Sequence, residues 1–423
     1  MNCSEWIEVK LEDITTNHNS LRLPLSSKER SVRKGCYPYY GAQGIIDYID
    51  DYIFEGEYLL VAEDGANLET RNETIARLTS KGEKFWVNNH AHILRANDKS
   101  DIRYILYHLN RVDLSSYITG SAQPKLNKAN LNSIQVKLPP LQEQKAIAHI
   151  LSTLDEKIEV NSKINKTLEE MAQAIFKHWF VDFEFPNEDG EPYKSSGGEM
   201  VDSELGPIPK GWEIGIIDDY IAKTKGGDWG KERPEGNYLT KVKCIRGADI
   251  DDLTLGRKGN APTRYILEKN FNSKKLVNGN LIVEISGGSP TQSTGRIAYI
   301  SEEIIKRNSD PIICTNFCRA IELEDPDLMF FVFNYWRYLY SGNLFFNYEN
   351  GTTGIKNLDI NSFIEGYLIV KPTKGVLRTY SSIVGNFDKM IQNNGISNEV
   401  LSAIRDTLLP KLMSGEISVP IDN

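Results

Sequence analysis

Shifted by 233 positions, the chain lies on itself. LDEKIEVNSKINKTLEEMAQAIF (154 to 176) matches FDKMIQNNGISNEVLSAIRDTLL (387 to 409), setting Asp155 on Asp388, Ile158 on Ile391 and Leu168 on Leu401. Two asparagines recur as well, Asn161 with Asn394 and Asn165 with Asn398. Upstream, GSAQPKLNKANLNSIQVKLPP (120 to 140) resembles GTTGIKNLDINSFIEGYLIVKP (351 to 372), and SEWIEVKLEDI (4 to 14) resembles KGWEIGIIDDYI (210 to 221). A chain written twice as globular segment, turn-rich loop and long helix is expected to fold as two related bodies.

The repeated helices carry an apolar stripe in alternating steps of four and three: Ile147, Leu151, Leu154, Ile158, Asn161, Asn165, Leu168, Ala172 and Ile175. Each helix starts after a proline, Pro140 or Pro372, and runs about 38 residues, far beyond an ordinary globular helix. Helices of that length need partners, and the nearest partner is the other copy. Antiparallel packing about a pseudo-twofold would set Asn161 against Asn398 and Asn165 against Asn394. Such amide layers cost stability and fix register, because a slip leaves amides against hydrocarbon. Gly395 is expected to weaken the second helix by about 1 kcal/mol, and Pro410 to end or kink it.

The chain has 423 residues, 40% apolar and 25% charged, the balance of a water-soluble globular protein. No basic leader precedes an apolar run, and no window approaches the ~18 apolar residues of a membrane span, so cytoplasm is the expected location. The five cysteines, Cys3, Cys36, Cys244, Cys314 and Cys318, are scattered and read as reduced thiols. A net charge of -9 argues, taken alone, against nucleic acid. Its distribution matters more: residues 181 to 205 hold eight acids against one base and read as a linker, whereas 21 to 34 and 221 to 246 lean basic.

The globular segments alternate strand signals, YLLVAED (58 to 64), AHILRA (91 to 96), IQVKL (134 to 138), LIVEISG (281 to 287) and GYLIV (366 to 370), with short helices at 101 to 110 and 326 to 340. The expected class is α+β, two globular domains separated by two long antiparallel helices in a coiled coil. The expected boundaries are 1–139 for the first domain, 140–180 for its helix, 181–211 for the acidic linker, 212–371 for the second domain, 372–415 for its helix and 416–423 for a tail.

Several stretches resemble a known family: YPYYGAQGIIDYI (37 to 49), VNNHAHIL (87 to 94), GSAQPKL (120 to 126), LPPLQEQKAIA (138 to 148), AIFKHWFVDFE (174 to 184), VDSELGPIPKGWE (201 to 213), GTTGIKNL (351 to 358) and LLPKLMSGEI (408 to 417). With the twofold repeat, they are similar to the specificity subunit of type I restriction-modification systems. The resemblance implies two target-recognition domains, each reading half of a bipartite site in double-stranded DNA. It implies partners too: two modification subunits that use S-adenosylmethionine to methylate adenine, and restriction subunits that use ATP and Mg. The second loop, GTTGIKNL, lacks the glutamine and proline of GSAQPKL, so contacts inferred for one half do not transfer to the other.

The chain shows no G-x-x-x-x-G-K-[ST] loop and no N/D-P-P-Y/F stretch, so no catalytic residue, metal ligand or cofactor of its own is expected. His90 and His92 would share a face of a strand, without the third ligand a metal site needs. Residue type and loop position nominate Lys34, Tyr39, Tyr40, Gln123 and Lys125 in the first half and Lys225, Arg246, Thr352, Thr353 and Lys356 in the second as DNA contacts. Two other classes stand beside this reading: a self-contained DNA methyltransferase or nuclease, and a coiled-coil scaffold with no DNA role.

Overall fold

The computed structural model describes residues 6–120, 123–289, 291–351 and 354–420. The chain divides into two compact units, Met1–Lys157 with Leu401–Asn423, and Ile158–Val400.

The first unit is organised by Leu59–Ala62, a strand buried at every position. An uninterrupted apolar run suits a strand covered on both faces. It pairs antiparallel with Ala91–Ala96 and Ala76–Leu78, and Thr15–Asn17 completes a four-stranded sheet beyond Ala91–Ala96. A second sheet orders Gly44–Ile49, Lys34–Gly41, Lys84–Val87 and Phe54–Glu55, with its two middle strands parallel. Ile7–Lys10 pairs antiparallel with Gln135–Leu138, just before the first long helix. The helix Ile102–Leu109 starts where Asp101 accepts hydrogen bonds from the Arg103 and Tyr104 amides, and it buries Tyr104, Ile105 and Leu109.

The second unit follows a similar order, with three strands in place of four in its second sheet. Its central strand Leu281–Glu284 is also buried throughout and lies in a sheet ordered Ile221–Gly226, Cys318–Leu323, Leu281–Glu284, Ile297–Tyr299. Thr263–Leu267, Tyr238–Ile245 and Ile312–Cys314 form the second sheet, again with a parallel pair. Glu213–Ile216 pairs antiparallel with Leu368–Lys371 ahead of the second long helix. The aromatic helix Met329–Ser341 buries Phe331, Phe333 and Trp336, so the aromatic wealth of this half fills a core.

The long helices are Leu141–Phe176 and Lys374–Ser414, of 36 and 41 residues. In the first unit Ile147, Ala148 and Leu151 share a core with Leu412 and Met413, and Arg405 bonds Asp155 at 2.7 Å. In the second unit Ala172 and Phe176 pack with Leu377, Tyr380 and Val384. Low numbers meet high ones, which is antiparallel pairing.

Three expectations change. Pro410 does not end the helix, which runs on to Ser414. A proline removes one amide donor, and the burial of Leu412 and Met413 in the core holds the turn that follows. Gly395 is more than a weak point, because a Cβ there would lie 2.0 Å from the Gly256 carbonyl oxygen. The acidic stretch expected as a linker folds against the second unit: Phe185 stacks on Tyr193 at 4.6 Å and Trp212 at 4.9 Å, and Met200–Val201 pairs with Ile208–Pro209.

Candidate nucleic-acid interface

At the end of the first unit's central strand, the chain after Thr119 folds back. Thr119 and Lys125 exchange backbone hydrogen bonds of 2.8 and 2.7 Å around Gly120, whose φ of +92° suits a glycine turn. This loop is fastened to the strand end, with the Gly65 amide donating to Pro124 O at 3.1 Å and the Leu126 amide to Glu63 O at 2.8 Å. Ser121 and Ala122 lie outside the described residues.

Beneath the loop sits a charged cluster. Glu63 accepts from Arg22 at 2.7 Å and faces Lys125 at 3.3 Å, with its side chain only 12% exposed. Burial raises its carboxyl, but the Arg22 hydrogen bond and the neighbouring positive charges outweigh that and hold it below the usual carboxylate range. His92 is fully buried, its Nε2 2.7 Å from Leu126 O and its Nδ1 2.7 Å from Asn19 Nδ2. A carbonyl only accepts, so Nε2 carries the proton and Nδ1 accepts. Burial pushes this imidazole below its ordinary range. His90 is not its strand partner: it lies in the turn before Ala91–Ala96, with Nδ1 2.7 Å from Asp64 Oδ2. Among the described residues no group of three or more His, Cys, Asp or Glu could hold a metal ion.

The second unit builds the same docking. The Leu358 amide donates to Ile285 O at 2.8 Å, and Lys356–Leu358 pairs with Ser286–Gly287 and Glu349–Asn350. Lys356 bonds the buried Glu349 at 2.7 Å, and the same carboxylate accepts from the Thr294 amide and hydroxyl at 2.6 and 3.0 Å.

The nominated contacts fall into groups. Gln123 is exposed on the first loop, and Lys125 stands half-exposed beside it. Lys34 is exposed on a strand of the second sheet, bonded to Asp47 at 2.6 Å. Lys356 is a quarter exposed and lies 4.8 Å from the Phe346 ring. Thr352 and Thr353 lie outside the described residues.

Four nominations are corrected. Tyr39 is fully buried, with its hydroxyl accepting from the Leu25 amide at 2.8 Å, and Tyr40 is 8% exposed and donates to Glu83 at 2.5 Å, so both rings belong to the core. Lys225 is saturated by Glu322, Asn280 and the Lys275 carbonyl, with a side chain 9% exposed. Arg246 directs its guanidinium into Asp249 and the Asn260 carbonyl and holds a turn together. The basic run 21 to 34 is largely neutralised as well, since Arg22, Arg30, Arg33 and Lys34 each meet a carboxylate. Sequence reasoning passed over Arg22 and Glu63 as a pair, because 41 residues separate them and only the fold brings them together.

The four asparagines meet inside the second unit. Asn161 donates to Asn398 Oδ1 and Asn394 to Asn165 Oδ1, both at 2.8 Å. Asn161 and Asn165 are each 1% exposed, and Asn165 also donates to Leu255 O and Ile391 O at 3.1 Å. Oδ1 of Asn161 has no partner.

Residues 3–170 match the family model described as the type I restriction modification DNA specificity domain. Among curated relatives, the type I restriction enzyme MjaIX specificity subunit of Methanocaldococcus jannaschii is 28% identical over 332 residues, 75% of this chain and 69% of its own length. The putative type I restriction enzyme specificity subunit S.HindORF215P of Haemophilus influenzae is 37% identical over 151 residues, 36% of this chain and 37% of its own length. In fold, the chain is similar to the crystal structure of the type I system S subunit from M. genitalium, with a TM-score of 0.58 at 15% identity over 100% of this chain and 98% of that one. Over residues 3–170 the chain thus matches a DNA specificity domain, and along three quarters of its length it is similar to a specificity subunit of type I restriction enzymes.

Proposed function

We propose that each unit reads one half of a bipartite target in double-stranded DNA and that the paired helices, related by a pseudo-twofold, carry the modification subunits. The observation that carries this reading is the repeated docking of a lysine-bearing loop on the end of a buried central strand, through the Leu126 amide on Glu63 O and the Leu358 amide on Ile285 O. A strand buried on both faces is a rigid base, and loops on rigid bases suit recognition. Of the nominated contacts, Gln123 and Lys125 in the first half and Lys356 in the second remain the proposed DNA contacts, with Lys34 toward phosphate.

The chain reads and the partners react: two modification subunits with S-adenosylmethionine, and restriction subunits with ATP and Mg, in the cytoplasm. With a net charge of -9 the chain has little long-range attraction for phosphate, so partners supply much of the salt-dependent affinity. The test is to co-express the chain with its modification subunits in a methylation-free host and map modified adenines. A two-part motif with a fixed gap supports the reading. Adenine methylation by the chain alone, or methylation without a motif, contradicts it.

A further inference from the structure

Strand register places His90 and Phe317 at the same position of the two units. In the first, Ala62 pairs with Ala91 and the Glu63 amide donates to His90 O at 2.9 Å. In the second, Glu284 pairs with Cys318 and the Ile285 amide donates to Phe317 O at 2.8 Å. Each residue therefore sits one step before the strand beside the central one, at the strand end where the lysine-bearing loop docks. Their neighbours one step on, Ala91 and Cys318, are buried, yet Phe317 is 55% exposed and the His90 side chain 49% exposed. Two rings kept in water at one register position are a recurrent feature that core packing does not explain.

The two rings differ in chemistry, and both are held. The His90 amide bonds Asn88 Oδ1 at 2.8 Å, and Asp64 fixes Nδ1 at 2.7 Å. A carboxylate accepts, so Nδ1 carries a proton and Nε2, which has no protein partner among the described residues, is left to meet a polar base edge. Phe317 O accepts from both the Ile285 and Ser286 amides, at 2.8 and 3.2 Å, which fixes the backbone under an apolar ring. In a major groove such a ring has one specific partner, the thymine methyl.

Resting on the reading of the two units as DNA readers, we propose that His90 and Phe317 are paired specificity determinants: His90 contacts a polar base edge in one half-site and Phe317 a thymine methyl in the other. Being exposed, both can be truncated without opening a cavity.

The test uses the chain with its modification subunits and duplexes carrying the mapped motif. His90→Ala should relax one position of one half-site, with discrimination there falling about 10- to 100-fold, and leave the other half unchanged. Phe317→Ala should do the converse. Replacing the contacted thymine by uracil, which removes only the methyl, should weaken the parent complex about fourfold and leave the Phe317→Ala complex unaffected. The proposal is overturned if both variants keep the parental motif, if either weakens all duplexes equally, or if uracil acts identically on parent and variant. A parental complex with no two-part motif would instead overturn the underlying reading, and this one with it.

Discussion

Glu63 is the residue on which the first loop depends. It joins Arg22, 41 positions away, to Lys125 beside the loop, and its backbone carbonyl receives the Leu126 amide. Glu63→Gln keeps the size of the side chain and removes its charge, leaving a poorly exposed Arg22 without a counter-ion. The expected cost is about 1–3 kcal/mol, discounted from a fully buried pair because Lys125 is half in water. The sign of the pH effect follows from the depressed carboxyl: its stabilisation is present above the usual glutamate range and lost as pH falls through the lowered value. Thermal unfolding from pH 7 downward should show a shallower acid decline for Glu63→Gln than for the parent. An equal decline would remove Glu63 from the account.

The long helices show how one sequence pattern serves two purposes. The asparagines could be counted onto a seam from heptad phase alone, and the structure places Asn161 beside Asn398 and Asn165 beside Asn394. Their inequality was not legible. Asn165 also satisfies the Leu255 carbonyl, which belongs to the globular part of the second unit, whereas Asn161 leaves its own Oδ1 unpaired. Replacing Asn161 and Asn398 together by leucine should therefore raise stability, by about 1 kcal/mol, whereas Asn165→Leu should lower it by about 1–3 kcal/mol by orphaning Leu255 O. Calorimetry of the two variants decides, and the same sign for both would contradict this division. Gly395 is a second case. Propensity alone favours alanine by about 1 kcal/mol, but its Cβ would lie 2.0 Å from Gly256 O. Gly395→Ala should cost stability, about 1–3 kcal/mol net, as overpacking does; a more stable Gly395→Ala protein would show that the close approach relaxes freely.

At the scale of the whole chain, the sequence discloses the repeat, the long helices and the strand-rich segments, because periodicity and self-similarity are local or nearly so. It does not disclose which polar residues face outward. Residue type and loop position point to Tyr39 and Lys225, and the fold buries one and saturates the other. His90 and Phe317 share no residue type, so only strand register relates them. Charge misleads in the same way, since Arg30 and Arg33 in the basic run 21 to 34 are matched by Asp47 and Asp50, each 17 residues further along the chain.

The central claim is that specificity is divided between the two repeats, and an exchange of one repeat tests it most directly. Residues 1–139 carry their own sheets, their own loop and the strand pair that leads into the first helix. Replacing them by the corresponding domain of a similar type I specificity subunit, with the helices and second domain kept, should give a chain that still assembles and still directs adenine methylation. Genome-wide methylation mapping of the hybrid should return a motif with one half-site new and the other parental. A hybrid that changes both halves together, or that keeps the parental motif whole, would contradict the claim.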